Sequence, residues 1–167
     1  MLPSHELIGF MSPALAEQII SFSFESDKNL YRTVLNAVAE ARKVRPIFLE
    51  RQPRAQRHAT MLSVLTRPSM ELYSGNLLRH WLVKKQTAVL TQFLDALGIP
   101  NQSGVVDDLP ASMDDAKLQA AVEGLLAKHP QEVVAVYLIA FNDMNEANWP
   151  NLKKMLETDP RLQLGNH

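Results

Sequence analysis

Four residues whose types and spacing suit recognition chemistry stand close together in this chain: Arg51, Arg54, Arg57 and His58. Spacings of three and four residues put Arg54, Arg57 and His58 on one side of a helix, and Arg51 extends the row through the preceding turn. Guanidinium groups are suited to bidentate contact with carboxylate or phosphate. The quartet is therefore the candidate partner-binding site. It belongs to a longer basic stretch, in which ten lysines and arginines between Arg42 and Lys85 face only Glu50 and Glu71, a net +8. From residue 87 to the end, five bases face eleven acids, a net −6. The total of −1 conceals this split. Halves of opposite sign either attract each other or leave a basic face for an acidic partner.

Other chemistry finds less support. His5, His58, His80, His129 and His167 contain no pair at three or four residues' separation, so no helix presents two imidazoles to a metal. His58 and His80 would meet only if their helices pack. Asp143-x-Asn145 opens like a calcium loop, but Ala147, Asn148 and Lys154 occupy the positions where a ligand, a glycine and a glutamate are required, so it reads as a polar turn between helices. Asp107-Asp108 and Asp114-Asp115 lie beside loops or helix starts, where aspartate favours the exposed amides. No glycine-rich phosphate loop, nucleophile elbow or cysteine occurs. The expectation is no enzyme activity, no cofactor and no metal.

The elements that must position the basic row read as helices throughout. Ser12-Pro13 caps and opens one, with Leu15, Ile19 and Phe22 on a stripe. Asp27 caps a second, carrying Leu30, Val34, Leu35 and Val38 until Pro46 ends it. Pro53 opens a third, whose apolar side is read from Ala55, Ala59, Leu62 and Leu65. A single long helix over Asn76–Leu97 is expected to form the centre of the core, stopped by Gly98 and Pro100. After a loop near 98–111, Ser112 begins another helix. Val133–Phe141, nine consecutive apolar residues, is read as a buried helix because no second strand exists to pair with it. Asn148–Glu157 closes the series.

The predicted fold is all-α: one domain over 1–167, an irregular bundle of about seven helices, with the 98–111 loop between a basic and an acidic half. An echo of Leu125-Leu126-x-x-x-Pro130 in Met155-Leu156-x-x-x-Pro160 raises a short helical-hairpin, solenoid-like C-terminal part, although two coincident helix ends explain it better. The nine-residue apolar run falls short of the ~20 residues of a membrane span. No secretory leader is evident, and the absence of cysteine fits a reducing compartment, so a cytoplasmic location is expected. The expected role is a non-catalytic interaction or assembly module meeting an acidic protein surface or a second copy of itself, with no membrane partner. A nucleic-acid-binding regulator using residues 51–57 is the alternative, and a binder of a small apolar ligand within the bundle is the second. Arg79, Lys84 and Lys85 are read as the solvated edge of a core helix and set aside.

Overall fold

The chain adopts the expected all-α architecture. A computed structural model, which describes residues 2–165, contains ten α-helices and two 3₁₀ turns; no strand occurs among the described residues. His167 lies outside the described residues. The helices are α1 Ser4–Phe10, α2 Pro13–Ser26, α3 Lys28–Ala41, α4 Pro46–Glu50, α5 Arg54–Leu65, α6 Glu71–Lys84, α7 Thr87–Ala96, α8 Asp115–Lys128, α9 Gln131–Asn145 and α10 Pro150–Thr158. No helix is long and apolar enough to cross a membrane among these residues. The number exceeds seven for two reasons. α1 and α4 are too short to show a periodic stripe, and the expected central helix is two helices.

That break is a correction to the Asn76–Leu97 reading. None of residues 83–88 is buried, so no core contact holds the backbone helical there. Gln86 leaves helical geometry at φ −103° and ψ 28°, and the Thr87 hydroxyl donates to the Val83 carbonyl freed by the interruption. The exposed Arg79, Lys84 and Lys85 border α6 as expected.

Two compact units divide the chain, Pro3–Trp81 and the residues from Leu82 onward with Leu2. The division falls inside α6, upstream of the 98–111 loop. In the first unit the local signals act as read. The Ser12 hydroxyl accepts from the Leu15 amide at 3.2 Å, and the Asp27 carboxylate accepts from the Leu30 amide at 3.0 Å. Tyr31, Val34, Leu35, Val38 and Ala39 form the buried stripe of α3. α3 ends with paired amide–carbonyl bonds, Lys43 to Glu40 and Val44 to Ala39, around a left-handed Lys43 at φ 57°. Glycine usually holds that position, because a side chain there costs about 1 kcal/mol. The Glu71 carboxylate accepts from the Ser4 and His5 amides at 2.8 and 2.9 Å, satisfying the start of α1. Burial pushes the Glu71 carboxyl up, but bonds from His5 and Ser4 outweigh it and hold it below the ordinary range.

The second unit is built on an aromatic cluster. Phe93 of α7 meets Tyr137 and Phe141 of α9 edge-on at 5.6 and 5.3 Å, and Phe141 lies 5.4 Å from Trp149. Burial pushes the Tyr137 hydroxyl's pKa well up. All of Val133–Phe141 is buried within α9, which explains its lack of a polar side. Asp143 and Asn145 complete the last turn of α9 rather than forming a separate turn. Gly98, at φ 71°, ends α7 with the amide pairing that its position predicts. Gly104 is required by a close approach, since a Cβ there would stand 2.6 Å from Leu90 Cβ. α8 starts at Asp115, not Ser112, because the Asp114 carboxylate accepts from the Lys117 amide at 2.9 Å.

Phe93→Ala should cost about 3–5 kcal/mol, since the ring is fully buried and leaves an aromatic-lined cavity. Chemical denaturation followed by far-ultraviolet circular dichroism measures it; a loss under about 0.5 kcal/mol would show that this cluster does not hold the unit together.

Candidate functional site

α5 presents a different face from the one read in its sequence. His58, Met61, Val64 and Leu65 are buried, whereas Ala55 and Ala59 are exposed. The helix is rolled so that the histidine, not the alanines, enters the core. Alanine methyls offer little area to bury, and an imidazole with both nitrogens satisfied behaves as an apolar ring.

The satisfying partners come from α2 and α3. His58 Nδ1 lies 2.9 Å from Glu17 Oε1, and Nε2 lies 2.9 Å from the Tyr31 hydroxyl. A carboxylate can only accept, so Nδ1 carries the proton and Nε2 accepts from Tyr31. The Ser21 hydroxyl donates to the same Glu17 oxygen at 2.7 Å. Burial lowers the His58 pKa from its ordinary value near 6.5; Glu17 opposes the shift, and Arg57 and Arg54 reinforce it. Burial likewise raises the Tyr31 hydroxyl, with Arg57 and Arg54 pulling it down and Glu17 pushing it up. His80 takes other partners, the Ser26 hydroxyl at 2.8 Å and the stacked ring of Phe22 at 5.1 Å.

The roll of α5 divides the arginines. Arg54 lies with its guanidinium carbon 4.5 Å from the centre of the Phe24 ring and pairs with Glu25 at 3.2 Å. Its carboxylate partner is thus on α2, not in the acidic C-terminal half. Arg57 lies 5.7 Å from Phe24 and 6.0 Å from Tyr31, and its Nη1 donates to the Glu50 carbonyl at 3.2 Å. Both cations rest on aromatic faces, a contact worth about 0.5–1 kcal/mol at exposed sites. Arg51 alone of the four projects into solvent without an ion pair.

Arg51 instead borders a groove of about 580 Å³ along α4, lined by Val44, Arg45, Ile47, Phe48, Arg51 and Gln52. Ile47 and Phe48 are 48% and 56% exposed, while Leu49 points inward and is fully buried. Gln52 Oε1, on the same groove, is buried without a hydrogen-bond donor. Of the ion pairs among the described residues, none includes Arg42, Lys43, Arg45 or Arg51. Sequence reading passed over Ile47, Phe48 and Gln52. The available signal was an apolar triplet after Arg45-Pro46 that one short helix turn cannot wholly bury. Among the described residues, no three acidic or histidine side chains are placed to hold a metal ion.

No protein-family model, no curated protein and no solved structure matches the chain.

His58 makes stability fall with acidification. Between its ordinary value of 6.5 and its lowered folded value, the unfolded chain binds a proton that the native state refuses. Stability is therefore full above pH 6.5 and declines as pH drops below it. Melting temperatures from pH 7.5 to pH 5 should show this decline, and His58→Gln, which can still donate and accept, should flatten it. An equally steep profile in the variant would place the titrating group elsewhere.

Proposed function

We infer that this chain is a non-catalytic interaction module whose α3–α4 corner binds an acidic segment of another protein through an apolar anchor. One observation carries the reading: Ile47 and Phe48 stand in solvent beside Arg45 and Arg51, cations with no carboxylate of their own. A single exposed apolar residue is ordinary on any surface. Two adjacent ones, bordered by unmatched charge, are not. Both side chains are already about half covered, so covering the rest would recover about 0.7–1.5 kcal/mol each from the hydrophobic effect.

Each element of the groove specifies part of the occupant. The cations select carboxylates, and charge complementarity would speed encounter as well as set register. Ile47 and Phe48 require an apolar side chain opposite them. The strained Lys43 supports the same reading, because a left-handed lysine keeps a cation next to Val44, where glycine would relieve the backbone. Two of the arginines expected to track phosphates, Arg54 and Arg57, are occupied by Phe24, Tyr31, Glu25 and the Glu50 carbonyl. This favours a carboxylate-bearing protein segment over a nucleic acid.

Fluorescence anisotropy at low salt separates the occupants. The probes are a labelled peptide alternating Asp or Glu with Leu and Phe, an oligoglutamate of equal charge, and a random-sequence single strand of DNA. The mixed peptide should bind most tightly, and Phe48→Ser combined with Arg51→Glu should weaken it by about tenfold or more, at unchanged melting temperature. Absence of peptide binding, equal affinity in the double variant, or tighter binding of the DNA strand would overturn the proposal.

A further inference from the structure

The second unit contains a cavity of about 560 Å³ where the α9–α10 turn meets the first turns of α10. That volume lies within the range of small-molecule sites. Ile139, Trp149, Leu152 and Leu156 supply its apolar wall. Trp149 is held there rigidly: its Nε1–H donates to the Pro110 carbonyl at 2.9 Å, and its ring leans on Phe141 at 5.4 Å. The polar edge of the indole is thus consumed by the protein, and the ring, 1% exposed, reaches the cavity only by its edge.

The turn that delivers Trp149 is strained. Glu146 and Asn148 both take left-handed backbone angles, at φ 52° and 51°. Asparagine tolerates that region, but glutamate does not, and each such residue costs on the order of 1–3 kcal/mol. The Asn148 amide donates to Asn142 Oδ1 at 2.7 Å, and its Nδ2 donates to the Glu146 carbonyl at 3.3 Å. The backbone N–H and one Nδ2–H of Asn148 are therefore engaged within the turn, and Asn148 is a polar residue on the cavity lining.

The charges on the lining cancel. Lys153 and Glu157 lie four residues apart on α10, and neither forms an ion pair among the described residues. An anionic head would meet Glu157 beside Lys153, and a cationic head would meet the reverse. A neutral head needs neither group and avoids the cost of burying a charge.

We propose that this cavity binds a neutral, predominantly apolar small molecule whose single hydroxyl or amide end hydrogen-bonds the Asn148 side-chain amide. The apolar body lies against Trp149, Ile139, Leu152 and Leu156. This site is separate from the α4 groove, and its test does not depend on that reading.

The full chain is titrated with the neutral fluorescent probe N-phenyl-1-naphthylamine, then with 1-decanol, decanoate and decylammonium as competitors below their micelle concentrations. Saturable binding is expected, with 1-decanol displacing the probe at a concentration at least about tenfold lower than either ion. Leu156→Phe, a filling change at a half-buried position, should weaken probe binding by about tenfold or more. Asn148→Gly offers a second variant that relieves the backbone, so its melting temperature should hold or rise. It should nevertheless lower decanol affinity by about threefold or more through loss of that hydrogen bond. No saturable binding, or unchanged probe affinity in a folded Leu156→Phe protein, would overturn the site. Displacement that is best with decanoate or decylammonium, or equal for all three, would overturn the neutral head. Unchanged decanol affinity in Asn148→Gly would overturn the role given to Asn148.

Discussion

One buried imidazole decides which way α5 faces. His58 is fully buried, and a ring nitrogen left there without a partner would cost about 1–3 kcal/mol. Glu17 on α2 and Tyr31 on α3 supply the two partners, so three helices are pinned by one side chain. Once that roll is set, the arginines on α5 have little choice. Arg54 and Arg57 come to rest over Phe24, and Arg57 also over Tyr31, while Arg51, in the turn before the helix, stays clear. The basic stretch therefore includes cations that brace aromatic rings, Arg54 and Arg57, and cations near α4 that enter no ion pair among the described residues.

The two units spend backbone strain in parallel ways. In the first, a left-handed Lys43 closes α3 and turns the chain into α4. In the second, left-handed Glu146 and Asn148 turn α9 into α10 and bring Trp149 to its place. Neither turn uses the glycine that would make it strain-free, in contrast to Gly98 at the end of α7. Strain of this kind persists only where surrounding packing over-determines the backbone. Here the packing comes from the buried stripe of α3 in one case and from the Phe93–Tyr137–Phe141–Trp149 cluster in the other.

Sequence reading recovered the elements whose signals are short-range. Ser12, Asp27 and Gly98 act at helix ends as their types predict, because each satisfies an amide or carbonyl within a few residues of itself. Where it failed, the deciding interaction was distant. The break at Lys85-Gln86 was hidden by a stripe that runs through it unbroken, from Leu78 and Leu82 to Val89 and Phe93. The stripe shows which residues are apolar but not that Trp81 and Leu82 fall in different packing units. α1 and α4 left no stripe at all. The candidate site divides along the same line. That Arg51 is exposed follows from its place in a polar turn. That His58 is core does not, because a histidine counts as polar until its partners, 41 and 27 residues away, are known.

Composition and periodicity were enough to decide that this is an all-α chain with a basic segment before residue 86 and an acidic one after it. Both properties are sums or local repeats, and no long-range contact alters them. The accessible part of that charge, and the apolar surface it surrounds, were settled by tertiary structure. The roll of a helix depends on which side chains of other helices can satisfy its polar groups, and that choice is made between residues far apart in the chain.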